Sequence, residues 1–149
     1  MTPEDARDYI LDRFRAVWIA GAPAVNAGVV PEIEYQNVDP EQSPLAKGNK
    51  AWARIMVRHA SGEQRSLGEP GYRVFTRYGV VTVQVFVPSG KQGLVLVDRL
   101  GNVALSAFEG EETSAGNVWF RNTAYHEAGV DNAWFQSNVT AEFEYDTVK

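Results

Sequence analysis

The sequence predicts a single α+β domain in which two helices pack on a mostly antiparallel sheet. Three observations lead to this prediction. Apolar residues recur at helical spacing over residues 3–20, β-branched and aromatic residues fill 80–87, and apolar and polar residues alternate over 133–145. The chain has 149 residues, the size of one domain, and shows no internal repeat, so residues 1–149 are predicted to form one unit.

The first predicted element is an amphipathic helix over residues 3–20. Thr2 suits the N-cap, Pro3 suits the first helical position, and Asp5 completes a capping-box pattern. The apolar positions at helical spacing are Ile10, Phe14, Val17 and Trp18. Gly21 then ends the helix, because glycine readily adopts the backbone conformation of a helix C-terminus.

Two strands are predicted next. Residues 31–37 alternate between polar and apolar side chains, which is typical of a short, half-exposed strand, and residues 51–59 alternate in the same way. The segments that follow them, residues 38–50 and 61–70, are predicted loops because they are rich in residues that favour turns.

Residues 71–108 predict a hairpin followed by a helix. Tyr78-Gly79 is turn-like, since glycine accepts positive φ, so one strand is expected before it and a second over residues 80–87. Pro88 ends the second strand because it has no N–H to donate to a neighbouring strand.

A second helix is predicted over residues 93–108, with Ser89 as a candidate cap. Its predicted apolar stripe consists of Leu96, Leu100, Val103 and Ala107. Valine and glycine lower the intrinsic helix propensity here, so tertiary packing is expected to support the helix.

The C-terminal part predicts an acidic loop at 109–117, a short strand at 118–121, a loop at 125–132 and a long strand at 133–145. One face of the last strand is expected to be apolar and the other wet. The periodic apolar positions predict a core containing Phe14, Trp18, Val83, Val85, Leu100, Phe135, Val139 and Phe143.

Composition excludes several classes of function. The net charge of −5 argues against sequence-specific nucleic-acid binding, which needs a basic surface. The chain has no cysteine, which excludes disulfides, thiolate catalysis and cysteine-ligated zinc. No apolar run approaches the ~20 residues that cross a bilayer. The N-terminus lacks the pattern of a signal peptide, so a cytosolic product without a membrane partner is expected.

No residues are predicted to be catalytic, to bind a cofactor or to hold a metal. His59 and His126 are far apart and have no acidic residue at ligand spacing, and both are expected at the surface or at a strand edge. Residues 88–93 resemble a phosphate-binding loop but lack its required pattern. Glu142 and Glu144 share one strand face, which is the ordinary way to solvate a sheet. The chain is therefore not expected to be an enzyme.

Tryptophans and arginines are the candidate interface residues. Trp52, Trp119 and Trp134 are expected to be half-exposed. Half-exposed tryptophans suit a subunit interface or a surface that binds sugar or peptide. Partial burial under a helix explains them equally well. Two arginine pairs each share a strand face. The predicted interface set is Arg54, Arg58, Arg73, Arg77, Trp119 and Trp134.

Four segments in this order carry a family resemblance. They are an N-terminal helix ending near Trp18, PEIEYQN at 31–37, RYGVVTVQVFVPSGKQG at 77–93 leading into a helix that closes at Phe108, and WFQSNVTAEFEYD at 134–146. Over nearly its whole length the chain resembles the tail terminator proteins of long-tailed, siphovirus-type bacteriophages.

The resemblance implies an α+β structural subunit that assembles as a hexameric ring. Such a ring caps the tail tube, stops its polymerisation and prepares the tail for head joining. The implied partners are other copies of the chain, the tail tube protein and a head–tail connector protein. The implied location is the head-proximal end of the tail in the virion, and the host cytoplasm during assembly. A connector or neck protein and a small carbohydrate-binding or peptide-binding module remain alternatives.

Overall fold

A computed structural model describes residues 1–36, 49–90, 93–109, 117–131 and 133–149. The predicted loops at 38–50 and 109–117 lie largely outside these residues. The described elements are helices α1 (Pro3–Gly21) and α2 (Gly93–Ser106), a 3-10 turn (Ala22–Ala24), and strands β1 (Glu32–Tyr35), β2 (Trp52–Gln64), β3 (Val74–Pro88), β4 (Val118–Asp131) and β5 (Trp134–Val148). The α+β prediction is confirmed.

The five strands form one sheet in the order β1-β2-β3-β5-β4. Among the described strands, β1 and β2 are parallel and the other neighbouring pairs are antiparallel. α2 packs on β3 and β5, and α1 packs on β2 and α2, so both helices cover one face. The core lies between the helices and that face. Every predicted core residue is buried except Phe135, which is half-buried against the core.

The N-terminus of α1 is the predicted capping box. Thr2 Oγ1 accepts a hydrogen bond from the Asp5 N–H at 3.1 Å, and the Asp5 carboxylate accepts one from the Thr2 N–H at 2.8 Å. The bond from the Thr2 N–H, and then a bond of 2.7 Å from the Thr2 hydroxyl to the same carboxylate, lower the pKa of Asp5, because they favour its ionised form. Further along the helix, Trp18 is buried and its indole N–H donates to the Pro31 carbonyl at 3.0 Å, which ties the helix to the start of β1.

Replacing Thr2 with alanine is expected to lower the free energy of unfolding by about 1 kcal/mol, because the Asp5 N–H loses its acceptor. Urea denaturation followed by circular dichroism measures the change. Thr2→Ser keeps a hydroxyl in the same place and is the matched control, with stability close to that of the wild type. Equal stabilities of the alanine and serine variants would contradict the role of the cap.

β3 corrects the predicted hairpin. It runs without a turn through Tyr78 and Gly79 and pairs with β2 on one side and β5 on the other. A Cβ atom on Gly79 would lie 2.3 Å from Cζ of Phe143 and 2.5 Å from the Arg58 carbonyl oxygen. The glycine therefore makes room for an aromatic ring from β5 instead of forming a turn. The predicted end of the strand at Pro88 is confirmed.

Two predicted loops are partly strand. β2 continues to Gln64, past a register shift between His59 and Ser61, so only the end of the predicted loop at 61–70 is outside it. β4 extends through the predicted loop at 125–132 as far as Asp131. The polar, turn-like composition there misled the prediction, because hydrogen bonding to the long β5 strand outweighs local propensity.

α2 confirms the second predicted helix, but the buried side differs from the predicted stripe. The buried residues of the helix are Gly93, Val97, Leu100, Gly101 and Ala104, and Leu96 and Val103 are half-buried. Ser89 lies four residues before Gly93, and its N–H donates to the Ala133 carbonyl at 2.7 Å. Residues 91 and 92 lie outside the described part of the chain, so the role of Ser89 as a cap stays a prediction.

A close contact between Gly101 and Tyr125 seats α2 on the sheet. A Cβ atom on Gly101 would lie 2.2 Å from the Tyr125 ring, so no larger residue fits without a shift. The Tyr125 hydroxyl donates to Asp98 at 2.5 Å. Burial, and then this hydrogen bond, raise the pKa of Tyr125 to about 12. The pair positions α2 against β4.

Candidate subunit interface

The sheet face opposite the helices is not covered by any described helix or strand, and we call it the open face. Strand register places on it Arg54, Arg58, Val80, Phe86, Trp119, Arg121, Trp134, Glu142 and Glu144. Val80 and Trp119 are 37% and 39% exposed, which is high for large apolar side chains in a sheet. The open face therefore mixes exposed apolar and charged groups, as interfaces between subunits do.

Arg54 and Arg58, which sequence placed together, lie on the open face but differ in their contacts. Arg54 forms an ion pair with Glu34 at 3.3 Å, and its guanidinium carbon lies 5.2 Å from the Trp52 ring centre. Arg54 is thus held within its own chain. Arg58 is exposed and forms no ion pair with any described residue. Arg58 is the group that can meet an acidic partner.

Arg73 and Arg77 are not part of the open face. Arg77 stands opposite Tyr145 in the strand register, on the face that the helices cover, and is half-buried there. Its guanidinium carbon lies 5.8 Å from the centre of the Phe75 ring. Arg73 precedes β3, and its backbone exchanges two hydrogen bonds of 2.9 Å with Lys149. These contacts tie the chain end to β3.

The tryptophans do not form one binding cleft. Trp52 is only 1% exposed, so its predicted half-exposure is wrong. Its ring stacks on that of Phe86, with the ring centres 4.2 Å apart. Trp119 lies opposite Glu144 on β5, whereas Trp134 begins that strand ten residues earlier. Ten strand residues span about 33 Å, so exposed Trp119 and half-buried Trp134 lie at opposite ends of the open face.

The carboxylates of the open face already have partners. Glu144 forms an ion pair with Arg121, and Glu142 accepts a hydrogen bond from Asn122 at 2.7 Å. Asn122 is uncharged, so Glu142 has no ion pair with a described residue, and neither does Arg58 on β2. An acidic surface of another subunit would be attracted to this side of the face.

The two outermost strands of the sheet are poorly suited to pairing with another chain. β1 is four residues long, and β4 has register shifts between Arg121 and Ala124 and between Glu127 and Gly129. Asn122, within the first irregularity, has a φ of 51°. Bulged and short edges disfavour edge-to-edge pairing at these two strands, whereas β2 beyond Ile55 has no described strand on its outer side.

The two histidines lie on opposite faces. His59 is half-buried on the face that the helices cover, and its ring is edge-on to that of Phe143, with the ring centres 5.5 Å apart. It lies on β2 beyond Ile55, where β2 has no described strand on its outer side, in agreement with the predicted strand edge. Burial, and then the positive charge of Arg7, lower the pKa of His59. His126 is exposed on β4, and its Nε2 atom lies 3.5 Å from the Thr140 hydroxyl oxygen. In the described ranges, no group of three His, Cys, Asp or Glu residues is arranged to hold a metal.

Lowering the pH is expected to destabilise the protein through His59. Its pKa is lower in the folded state, so between that value and about 6.5 the unfolded chain binds the proton more readily. The stability that neutral His59 contributes is therefore present above pH 6.5 and lost below it. The stability difference between wild type and His59→Gln should shrink as the pH falls from 7.5 to 5.5. Urea titrations measure it, with His126→Gln as the control, and a difference independent of pH would contradict the argument.

An apolar cavity of about 830 Å³ opens at the end of the sheet where β3 meets α2, and we call it the end cavity. Its apolar lining includes Val25, Val29, Pro31, Val87, Val95 and Leu96. The cavity is also lined by three charged residues, Glu32, Lys50 and Arg99. No local pattern in the sequence indicates this cavity, because its walls come from three segments that are distant in sequence.

Comparison with known proteins supports the fold alone. No protein-family model and no curated protein matches the chain. Among 29 similar chains of solved structures, one whose name states no function has a TM-score of 0.57 and 16% identity. The alignment covers 93% of this chain and 97% of the other. None of the described helices is both long and apolar enough to span a membrane.

Proposed function

We propose that this chain is a structural subunit of a bacteriophage tail, a terminator that forms a ring on the tail tube. The observation that carries the proposal is the order of four segments that resemble the tail terminator family. The α+β fold that this resemblance implies is the fold of the chain. The resemblance includes the segment 77–93, which is a strand followed by a break and the start of α2.

The surfaces are compatible with assembly into a ring. A ring of identical subunits needs two different surfaces on each subunit that fit each other. The bulged β4 edge and the short β1 edge disfavour sheet extension, whereas the open face offers Arg58, Val80 and Trp119. In this proposal the ring is a hexamer that contacts the tube protein on one side and a head–tail connector on the other.

Cryo-electron microscopy of tails from the parent phage, together with deletion of the gene, tests the proposal. We expect a six-fold ring of this protein at the head-proximal end of the tail. Without the gene, tubes should grow beyond their normal length. Tubes of normal length that fail to join heads would instead indicate a connector or neck protein. Normal tails that join heads would contradict both assignments.

The tryptophan geometry does not favour the alternative of a carbohydrate-binding or peptide-binding module. Trp52 is buried, and Trp119 and Trp134 lie too far apart to contact one short ligand. A monomer that binds such a ligand through the open face would revive this alternative.

A further inference from the structure

The loop of residues 65–73 joins β2 to β3, and we call it the hairpin tip. It carries Leu67, which is 96% exposed, and Tyr72, which is 77% exposed. These are the two most exposed large apolar side chains in the described part of the chain. Single exposed apolar residues are common, but two on one projecting loop indicate a contact surface.

The hairpin tip is held in shape by its own hydrogen bonds. The Arg73 side chain donates to the Gly68 carbonyl at 2.7 Å, and Ser66 Oγ accepts from the Val74 N–H at 2.9 Å. The Tyr72 N–H donates to the Glu69 carbonyl at 3.0 Å, and Gly71 supplies the positive φ of 94° that this turn needs. A loop ordered in this way loses little conformational entropy on binding.

The end cavity lies at the far end of the same strands. β3 begins beside the hairpin tip at Val74 and ends at Pro88, which lines the cavity. Its 15 residues span about 46 Å, so a subunit cannot fill its own cavity with its own tip. The cavity volume falls within the roughly 300–1,000 Å³ of protein pockets that bind small molecules.

The charges around the two features are complementary. Glu69 on the hairpin tip forms no ion pair with a described residue, and the same holds for Lys50 and Arg99 at the cavity. Docking of the tip would bring the Glu69 carboxylate towards these two cations, which favours one orientation over others.

We infer that the hairpin tip of one copy of this chain inserts Leu67 and Tyr72 into the end cavity of a second copy. The contact joins two different surfaces, so it repeats from subunit to subunit and closes into a ring when the rotation permits. The inference rests on the proposed function in that it names the contact between ring subunits.

Disulfide trapping tests this contact directly, because the chain has no cysteine of its own. Tagged Leu67→Cys protein is mixed with untagged Val29→Cys protein, and the mixture is oxidised and analysed on a non-reducing gel. Leu67→Cys mixed with Ile19→Cys is the matched control, since Ile19 is 47% exposed on α1 but does not line the cavity. We expect at least a tenfold higher yield of the mixed dimer with Val29. Equal yields would overturn the inference.

A second variant checks the contact without an added thiol. Leu67→Asp/Tyr72→Ser changes only exposed side chains, so its thermal unfolding should match that of the wild type. Sedimentation should show at least tenfold weaker self-association. Unchanged association of the double variant would also overturn the inference.

The two proposals fail in distinguishable ways. A ring on phage tails in which Leu67 does not lie in a neighbour's cavity would overturn this inference and leave the proposed function standing. Selective trapping of the Leu67–Val29 pair, combined with normal tails in the deletion mutant, would support the contact and overturn the proposed function.

Discussion

Replacing Gly79 with alanine is expected to lower the free energy of unfolding by about 3 kcal/mol, at the upper end of the usual cost of overpacking a core. The new Cβ atom would lie 2.3 Å from the Phe143 ring and 2.5 Å from the Arg58 carbonyl oxygen. The second atom belongs to the backbone of β2, so no change of side-chain rotamer relieves it. The ring must shift to relieve the first contact, and β2 and β3 must move apart to relieve the second.

The sign of this effect is diagnostic. A glycine-to-alanine change at a site that accepts the methyl group stabilises a protein by about 0.4–1 kcal/mol, because it restricts the unfolded chain. Gly90→Ala is the matched control, since a Cβ atom there meets nothing within 4 Å. Urea titration should therefore show the two alanine variants moving in opposite directions. A Gly79→Ala protein as stable as the wild type would contradict the described packing of β3 against Phe143.

A double variant separates the two clashes. Leucine at position 143 removes the distal ring carbon that approaches Gly79, so adding Phe143→Leu to Gly79→Ala should cost less than the sum of the single changes. The cost of Gly79→Ala measured in the Phe143→Leu background then reports the contact with the Arg58 carbonyl.

Replacing Phe143 with alanine is the second large effect, with an expected loss of about 3–5 kcal/mol. Phe143 is 1% exposed at the centre of β5. The centre of its ring lies 5.5 Å from the centre of the His59 ring and 6.4 Å from the centre of the Tyr145 ring. Truncation removes these contacts and leaves a cavity against Gly79, which has no side chain to fill it. Denaturant titration measures the loss.

Two control variants test whether this loss comes from truncating a core side chain. Val148→Ala lies on the same strand, but its side chain is 59% exposed, so its effect should stay within about 0.5 kcal/mol. Phe143→Leu keeps most of the volume and should cost less than the alanine change. Similar stabilities of Phe143→Ala and Val148→Ala would show that position 143 is not in the core.

The elements with strong local signals were predicted well. The capping box at Thr2 and the apolar spacing through Phe14 and Trp18 predicted α1, because a helix is specified by contacts within one turn. The regular alternation over β5 predicted both its length and its buried face, since a strand in a half-covered sheet has period two.

The errors arose where a distant residue decides the structure. Gly79 looks like a turn residue by itself, and only the Phe143 ring, 64 positions later, explains a glycine inside a strand. Residues 125–131 look like a loop because they are polar, yet they pair with β5 across a two-residue connection. Hydrogen bonding to a partner strand is not visible in the local sequence.

The same distinction holds for the candidate interface. Period-two spacing correctly placed Arg54 and Arg58 on a shared face. It did not reveal that Arg54 is held by Glu34 and Trp52, whereas Arg58 has no ion pair with a described residue. The exposure of Leu67 and the walls of the end cavity depend on segments far apart in the chain, so no local pattern predicted either.

The sequence by itself therefore determined the α+β class, the two helices, the burial of the strand-forming apolar residues and the absence of cysteine chemistry. These follow from composition and from periodicities within about ten residues. The tertiary structure decided the strand order, the continuity of β3, the side of the sheet that the helices leave open, and the placement of the hairpin tip and the end cavity at opposite ends. Those features depend on which distant residues meet, and the contacts there, such as the Phe143 ring against Gly79, outweigh local preference.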